Sequence, residues 1–287
     1  MLCFLHKPFF AGCEGRHSIG KGGIIMRYFQ VNVRREPTEY GFMPTMELYL
    51  LEEGEKKRPI VLIVPGGGYT KVCVEADGEK TAMQYNAAGF HGAVLRYSVE
   101  PHYFPEPQRD LMSAIRILRE NGDSWGIHKE QIAVIGFSAG GHLCASVSTL
   151  WYLAKEDVAL YKPNAAILCY AILTARLNHC RDFLYGHVGK DEGKLKLASC
   201  DEQVSGYTPP TFLYGTFEDA LANPENIIYY AEKLCKHGIP FECHILPKGG
   251  HGAPWCDGTI WAKPAGARDY NYIRLSVEWM RELFGLL

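Results

Sequence analysis

Short apolar runs alternate along most of this chain with amphipathic segments of helical length, and this alternation strongly constrains the fold. Residues 58–64 carry a continuous apolar run, which is typical of a strand covered on both faces of a sheet. Residues 106–121 instead place Leu111, Ile115 and Leu118 on one stripe of a helix. The predicted strands are 27–33, 45–51, 58–64, 92–97, 131–137, 165–173, 211–215 and 240–246, and the predicted helices are 75–88, 106–121, 139–153, 225–236 and 269–284. The sequence therefore predicts an α/β protein with a mostly parallel central sheet and helices on both faces.

A single domain over residues 26–287 is the expected organisation, because α/β folds often run to about 200–250 residues as one unit. Within it, residues 174–208 lack strong periodicity, and an interval of that length is typical of a functional cap or lid. Residues 1–25 precede the first clear strand, and Lys21-Gly-Gly can be encoded by a purine-rich string resembling a bacterial ribosome-binding site. We therefore expect a non-native or disordered extension there, with translation starting at Met26, while a start at Met1 stays open.

Charge and composition exclude several classes of protein. Lys and Arg number 30 against 32 Asp and Glu, a formal net charge of −2, so the basic surplus of nucleic-acid and anionic-membrane binders is missing. No apolar stretch approaches the roughly 18 residues of a membrane-spanning helix. Lys7 also interrupts the apolar start that a secretory signal would need. The ten cysteines have scattered spacings, which favours buried, reduced thiols over disulfides or zinc ligands. We expect a cytoplasmic protein, and the sequence leaves open whether it forms a homodimer.

The first chemical motif is Gly136-Phe-Ser138-Ala-Gly140. About 0.1 matches to G-x-S-x-G are expected by chance from this composition, so the string alone is only suggestive. Its context strengthens it, because a buried strand leads in and a helix-compatible segment leads out. This is the setting of a strained turn that displays a serine hydroxyl, with glycines where a β-carbon would clash. We predict Ser138 as a nucleophile.

A serine nucleophile needs a base and an acid that orients the base. His251 lies in a glycine-rich loop after the last predicted strand, where strand carboxyl ends gather in such a sheet. Asp219 follows the strand 211–215, and the order Ser138, Asp219, His251 is that of α/β hydrolases. Glu218 is the alternative acid, and the sequence alone does not exclude it.

Backbone donors for an oxyanion are expected from a second glycine-rich loop, Pro65-Gly-Gly-Gly-Tyr69, which follows the strand 58–64. Glycine permits the close approach and unusual backbone angles that such a loop requires. Gly67 or Gly68, together with Ala139 after the nucleophile, should form the oxyanion hole. Cradling of phosphate is the alternative, but neither G-x-x-x-x-G-K-[ST] nor a complete dinucleotide fingerprint is present.

With these motifs in hand, the chain from about residue 57 to 252 resembles the α/β-hydrolase esterases of the hormone-sensitive-lipase-like type, and most closely the bacterial acetyl esterase and acetylxylan esterase group. The resemblance is carried by Pro65-Gly-Gly-Gly-Tyr69, Gly136-Phe-Ser-Ala-Gly-Gly-His142, Pro209-Pro-Thr-Phe-Leu213 and Pro247-Lys-Gly-Gly-His-Gly252, with Arg96-Tyr and Arg109-Asp-Leu between them. Pro65 stands where lipase-like families often have His, which resembles the sugar-ester branch. After Asp219 the sequence reads Ala-Leu-Ala-Asn223, where many relatives have x-x-Val-Pro.

The resemblance implies a serine esterase that uses no metal and no organic cofactor. It implies a substrate with a small acyl group on a carbohydrate, such as acetyl on a xylo-oligosaccharide, taken as a small-molecule ester. Tyr69, Trp255 and Trp261 are candidates for sugar contacts, although the two tryptophans are equally suited to covering the last helix. It also implies a structural role for Asp110. A general short-chain carboxylesterase is the main alternative, and a serine peptidase or a silent binding module on the same scaffold are weaker ones.

Overall fold

A computed structural model describes residues 15–18, 25–52, 56–154, 157–252 and 272–287. The strands are β1 Gly15–Ser18, β2 Ile25–Asn32, β3 Thr45–Leu51, β4 Arg58–Val64, β5 His91–Arg96, β6 Ile127–Phe137, β7 Ala165–Cys169, β8 Thr211–Thr216 and β9 Phe241–Leu246. The helices are α1 Val74–Asp77, α2 Glu79–Ala87, α3 Glu106–Glu120, α4 Gly122–Trp125, α5 Ala139–Leu150, α6 Asn178–Val188, α7 Glu192–Ala198, α8 Cys200–Gln203, α9 Glu225–Lys236 and α10 Tyr272–Leu283. Short 3₁₀ turns cover Trp151–Leu153 and Val158–Tyr161.

The strands form one sheet in the order β1-β2-β3-β5-β4-β6-β7-β8-β9. From β5 to β9 all neighbours are parallel, whereas β1, β2 and β3 join antiparallel at one side. The predicted class, a mostly parallel sheet with helices around it, is therefore confirmed. In this arrangement the loops after β4, β6, β8 and β9 open at the same edge, which is where ligands bind in open α/β sheets.

Each face of the sheet has its own apolar core, and β4 shows why. Ile60 and Leu62 point to the core that contains α3, α5 and α9, while Val61 and Ile63 point to the core that contains α2 and α10. Because successive side chains on a strand alternate between faces, a strand covered on both sides must be apolar throughout. The unbroken apolar run of β4 follows from this requirement.

Two predicted elements are shorter than expected. The helix predicted at 75–88 is interrupted at Gly78, whose ψ of −96° is not helical. A Cβ there would lie 2.5 Å from Val74 O and 3.0 Å from a methyl group of Val94, so this position needs a glycine. The strand predicted at 165–173 ends at Cys169, because Tyr170 has a φ of +39° and turns the chain out of the sheet. Both breaks lie next to the loops at the carboxyl edge.

Residues 174–208, the expected cap, contain the three helices α6, α7 and α8. Asp110 is fully buried and accepts hydrogen bonds from Ser98 N–H and from the Arg34 guanidinium, which fits its expected structural role. The seven described cysteines are free thiols, but Cys73 is only half-buried and Cys235 and Cys243 are exposed, so the expectation of buried thiols is wrong for these three. No helix among the described residues is long and apolar enough to span a bilayer.

Candidate active site

Ser138 occupies the sharp turn between β6 and α5. Its φ of +53° and ψ of −117° lie outside the regions that residues with a β-carbon usually adopt, and the side chain is half-buried. The turn is crowded as the sequence predicts, since a Cβ on Gly136 would lie 2.2 Å from Gly140 O and one on Gly140 2.1 Å from Val64 O. A serine at this corner is presented at the carboxyl edge of the sheet, with the first turn of α5 behind it.

His251 and Asp219 meet Ser138 at this edge. Ser138 Oγ lies 2.8 Å from His251 Nε2, and His251 Nδ1 lies 2.9 Å from Asp219 Oδ2. A carboxylate can only accept, so Nδ1 carries the ring proton and Nε2 is free to accept from the serine hydroxyl. The ring of Tyr170 packs edge-on against the imidazole, with the centroids 5.3 Å apart, and restricts its rotation.

Asp219 is only 2% exposed, and its carboxylate is fully engaged. Oδ1 accepts the N–H groups of Leu221 and Ala222, at 2.9 and 2.8 Å, while Oδ2 faces His251. Burial alone would raise the pKa of Asp219, but these hydrogen bonds outweigh it and hold the pKa below its usual value. The carboxylate is therefore ionised wherever an imidazole could act as a base.

Glu218, the alternative acid, lies on the outer side of the same loop and does not contact His251. Its carboxylate accepts a 2.6 Å hydrogen bond from Lys248 Nζ and a 3.1 Å hydrogen bond from Gly249 N–H. Hydrogen bonds from these two groups lower the pKa of Glu218. Adjacent carboxylates thus contact the histidine loop differently, because Asp219 holds the imidazole and Glu218 holds the backbone that carries it.

The loop after β4 lies beside Ser138 and adopts left-handed backbone angles at three consecutive residues, with φ of +130° at Gly67, +65° at Gly68 and +61° at Tyr69. The N–H groups of Gly67, Gly68 and Ala139 have no hydrogen-bond acceptor among the described residues. Unpaired donors at a helix start and a glycine-rich turn are suited to an oxyanion.

Asp77, the last residue of α1, contacts the first part of this loop, and the sequence analysis does not predict this contact. It is 7% exposed, and its Oδ2 accepts a 2.9 Å hydrogen bond from Gly66 N–H. Burial raises the pKa of Asp77 to about 6, against the opposing influence of the Gly66 N–H and of His251. A lone aspartate in a short amphipathic segment gives no sequence signal of such a contact.

Tyr69 links the loop to the helices of residues 174–208. Its hydroxyl lies 2.7 Å from His142 Nδ1, and its ring stacks on His187 with centroids 3.7 Å apart. His142 Nε2 lies 2.8 Å from Ala198 O and must donate, so Nδ1 accepts from the tyrosine. Burial lowers the pKa of His142 to about 4, and the ring stays neutral. Tyr69 is thus largely buried in a network of hydrogen bonds and stacked rings, and its role as a sugar contact stays a prediction.

A cavity of about 360 Å³ lies between this loop and α6. Its lining residues are Gly68, Tyr69, Thr70, Glu100, His102, Tyr103, Asp182, Phe183, Gly186 and His187. The other two candidates for sugar contacts, Trp255 and Trp261, lie outside the described residues.

Comparison with known proteins places this geometry in a family. The BD-FAE family model matches residues 46–167. A solved structure, the acetyl ester-xyloside bifunctional hydrolase from Caldicellulosiruptor lactoaceticus, superposes with a TM-score of 0.78 at 30% identity over 90% of this chain and 97% of that one. The chain belongs to the hormone-sensitive-lipase-like α/β-hydrolase esterases.

Two curated relatives of this esterase are longer than the chain itself. Endo-1,4-beta-xylanase B of Butyrivibrio fibrisolvens is 33% identical over 238 residues, which are 78% of this chain and 37% of that protein. The acetylxylan esterase of Xylanibacter ruminicola is 30% identical over 209 residues, which are 70% of this chain and 42% of that protein. The esterase therefore spans about two fifths of the length of these relatives.

Proposed function

We propose that this esterase removes acetyl groups from carbohydrate, such as acetylated xylo-oligosaccharide, through an acyl-enzyme on Ser138, with His251 as the base and Asp219 as the orienting acid. The observation that carries the mechanism is the continuous contact from Ser138 Oγ through His251 to Asp219, at 2.8 and 2.9 Å. Such a relay activates a hydroxyl that is a poor nucleophile at neutral pH.

In the acylation step, Ser138 Oγ forms a bond to the carbonyl carbon while its proton moves to His251 Nε2. Asp219 accepts the Nδ1–H throughout and stabilises the imidazolium by its negative charge. When the tetrahedral intermediate collapses, the bond from carbon to the alcohol oxygen breaks, and His251 gives the proton to the departing alcohol. Water then attacks the acetyl-serine with His251 as base, which releases acetate and restores the serine.

The oxyanion of each tetrahedral intermediate is proposed to be stabilised by the N–H groups of Gly67, Gly68 and Ala139. These N–H groups have no acceptor among the described residues, which supports the assignment, because an oxyanion hole must offer N–H groups that are not otherwise engaged. The loss of one such donor typically lowers kcat by about 100- to 1,000-fold.

The carbohydrate part of the proposal rests on the relatives. One is described as an acetylxylan esterase, one as a xylanase, and one solved structure as an acetyl ester-xyloside hydrolase. Xylan or a xyloside is named in all three descriptions and an acetyl ester in two of them, and an acetyl ester of a xylo-oligosaccharide combines both features.

The proposal is tested by acetate release from acetylated xylo-oligosaccharides, with p-nitrophenyl acetate as a generic ester, by the esterase and by Ser138→Ala. We expect release from both substrates by the parent and from neither by the variant. Hydrolysis of the nitrophenyl ester alone would contradict the carbohydrate substrate and favour a general short-chain carboxylesterase. Equal turnover by Ser138→Ala would contradict the nucleophile.

A further inference from the structure

The cavity lies beside residues 65–69, called here the oxyanion loop after their proposed role, and its lining has acidic and aromatic side chains but no Lys or Arg. Glu100 and Asp182 are exposed at its rim, and neither carboxylate forms a hydrogen bond or an ion pair with a described residue. None of the ten lining residues is Lys or Arg. Among Asp, Glu, Lys and Arg, the lining therefore carries acidic side chains alone, although the whole chain is almost neutral, with a formal charge of −2.

The inner wall of the cavity offers surfaces that suit a polyhydroxylated ring. Tyr103 is 46% exposed, and Phe183 packs 6.2 Å from the Tyr69 ring. His187 is 3% exposed and lines the cavity, and its Nδ1 has no hydrogen-bond partner among the described residues. A buried ring nitrogen without a partner is costly unless a ligand or water satisfies it.

The position of the cavity assigns it to one half of the ester. Gly68 belongs both to the oxyanion loop and to the cavity wall, so the cavity begins at the loop that is proposed to bind the oxyanion. An acetyl group has two carbons and cannot fill about 360 Å³, a volume within the ~300–1,000 Å³ range of small-molecule pockets. The occupant is then the alcohol moiety, an assignment that rests on the proposed acetylesterase function.

We propose that this cavity binds the alcohol moiety of the ester, and that Glu100 and Asp182 make it select uncharged or cationic alcohols over alcohols that carry a carboxylate. Among sugars, this selection admits neutral glycosides and disfavours uronic acids. Like charges brought together at a partly exposed site weaken binding, and opposite charges strengthen it.

Isosteric acetyl esters that differ only in charge provide the test. Acetylcholine is compared with 3,3-dimethylbutyl acetate, and 4-acetoxybutanoate is compared with 4-acetoxybutanamide, by kcat/KM at low salt. For the parent we expect the cation to exceed its neutral partner by about two- to fivefold and the anion to fall below its partner by a similar factor, which are the magnitudes of exposed ion pairs. Both ratios should shrink in 0.5 M salt.

Variants distinguish the effect of Glu100 and Asp182 from the effect of the protein's overall charge. In Glu100→Gln/Asp182→Asn both ratios should approach one, whereas Glu232→Gln, an exposed acid on α9 outside the cavity lining, should leave them unchanged. Ratios within twofold of one in the parent, or ratios that persist in the double variant, overturn the proposal. Failure of the carbohydrate substrate is distinguishable, because it abolishes acetate release from xylo-oligosaccharides and leaves the charge order of these small esters intact.

Discussion

The backbone N–H of Gly66 donates a 2.9 Å hydrogen bond to Oδ2 of Asp77, so a buried carboxylate fixes the start of the loop that presents Gly67 and Gly68. Asp77→Ala leaves that N–H buried without an acceptor, and we expect kcat to fall by about ten- to one hundredfold with little change in KM, which corresponds to ~1–3 kcal/mol. Asp77→Asn keeps an acceptor oxygen and should lose less than about tenfold. Steady-state kinetics with p-nitrophenyl acetate at pH 8 measures both, and equal losses in the two variants would contradict the positioning role.

The same residue predicts a pH dependence of stability. Burial raises the pKa of Asp77 to about 6 in the folded protein, from an ordinary value of 3.8. Between these values the folded state binds more protons than the unfolded state. The contribution of Asp77 to the free energy of unfolding is therefore fully present below pH 4 and is lost as the pH rises through 6. Asn does not titrate, so the stability of Asp77→Asn relative to the parent should rise between pH 4 and 7, on the order of 3 kcal/mol.

Urea unfolding across this pH range measures the effect. Glu75→Gln is the matched control, because Glu75 is an exposed acid on the same short helix. A stability difference between parent and Asp77→Asn that does not change with pH would show that Asp77 titrates normally.

Substitutions at the neighbouring carboxylates Asp219 and Glu218 should lower kcat by very different factors. Asp219→Asn removes the charge that orients and supports His251, and we expect kcat to fall by about 10³- to 10⁴-fold, as in other serine triads. Glu218→Gln keeps an acceptor for Gly249 N–H and loses only an exposed pair with Lys248, so less than a tenfold loss is expected. The comparison uses kcat at pH 8, and a greater loss in Glu218→Gln would reassign the acid.

The strained backbone of Ser138 predicts a stability difference between two inactive variants. Ser138→Ala and Ser138→Gly both remove the hydroxyl that contacts His251, but only glycine adopts a φ of +53° and ψ of −117° without strain. We expect the glycine variant to unfold with a free energy about 1 kcal/mol higher than the alanine variant. Urea denaturation measures both free energies of unfolding. If the glycine variant were the less stable of the two, only the ordinary entropic penalty of glycine would be seen, and the turn would be unstrained.

Much of the fold follows from the sequence because both faces of the central strands are buried. A strand such as β4 must be apolar at every position, and that pattern is visible without a structure. Residues 174–208 gave no such signal, because α6 contacts the oxyanion loop partly through rings and polar groups such as His187 rather than through a continuous apolar stripe.

The candidate site, like the fold, is only partly predictable from the sequence. The loops that carry Ser138, Asp219 and His251 are predictable from the order of the strands, although their catalytic roles stay predictions. The choice of Asp219 over Glu218 as the contact of His251 depends on the N–H groups of Leu221 and Ala222, which turn one carboxylate inward. Asp77 is invisible in the sequence, because only the folded chain brings it to Gly66.

The central claim, an acyl-enzyme on Ser138, is tested most directly by covalent trapping. The esterase is treated with p-nitrophenyl diethyl phosphate, which transfers a diethylphosphoryl group to an activated serine, and the site and extent of labelling are measured by peptide mass mapping. We predict one label, on Ser138, that forms in step with the loss of activity on p-nitrophenyl acetate. Complete inactivation with the label on another residue, or full activity after complete labelling of Ser138, would contradict the account.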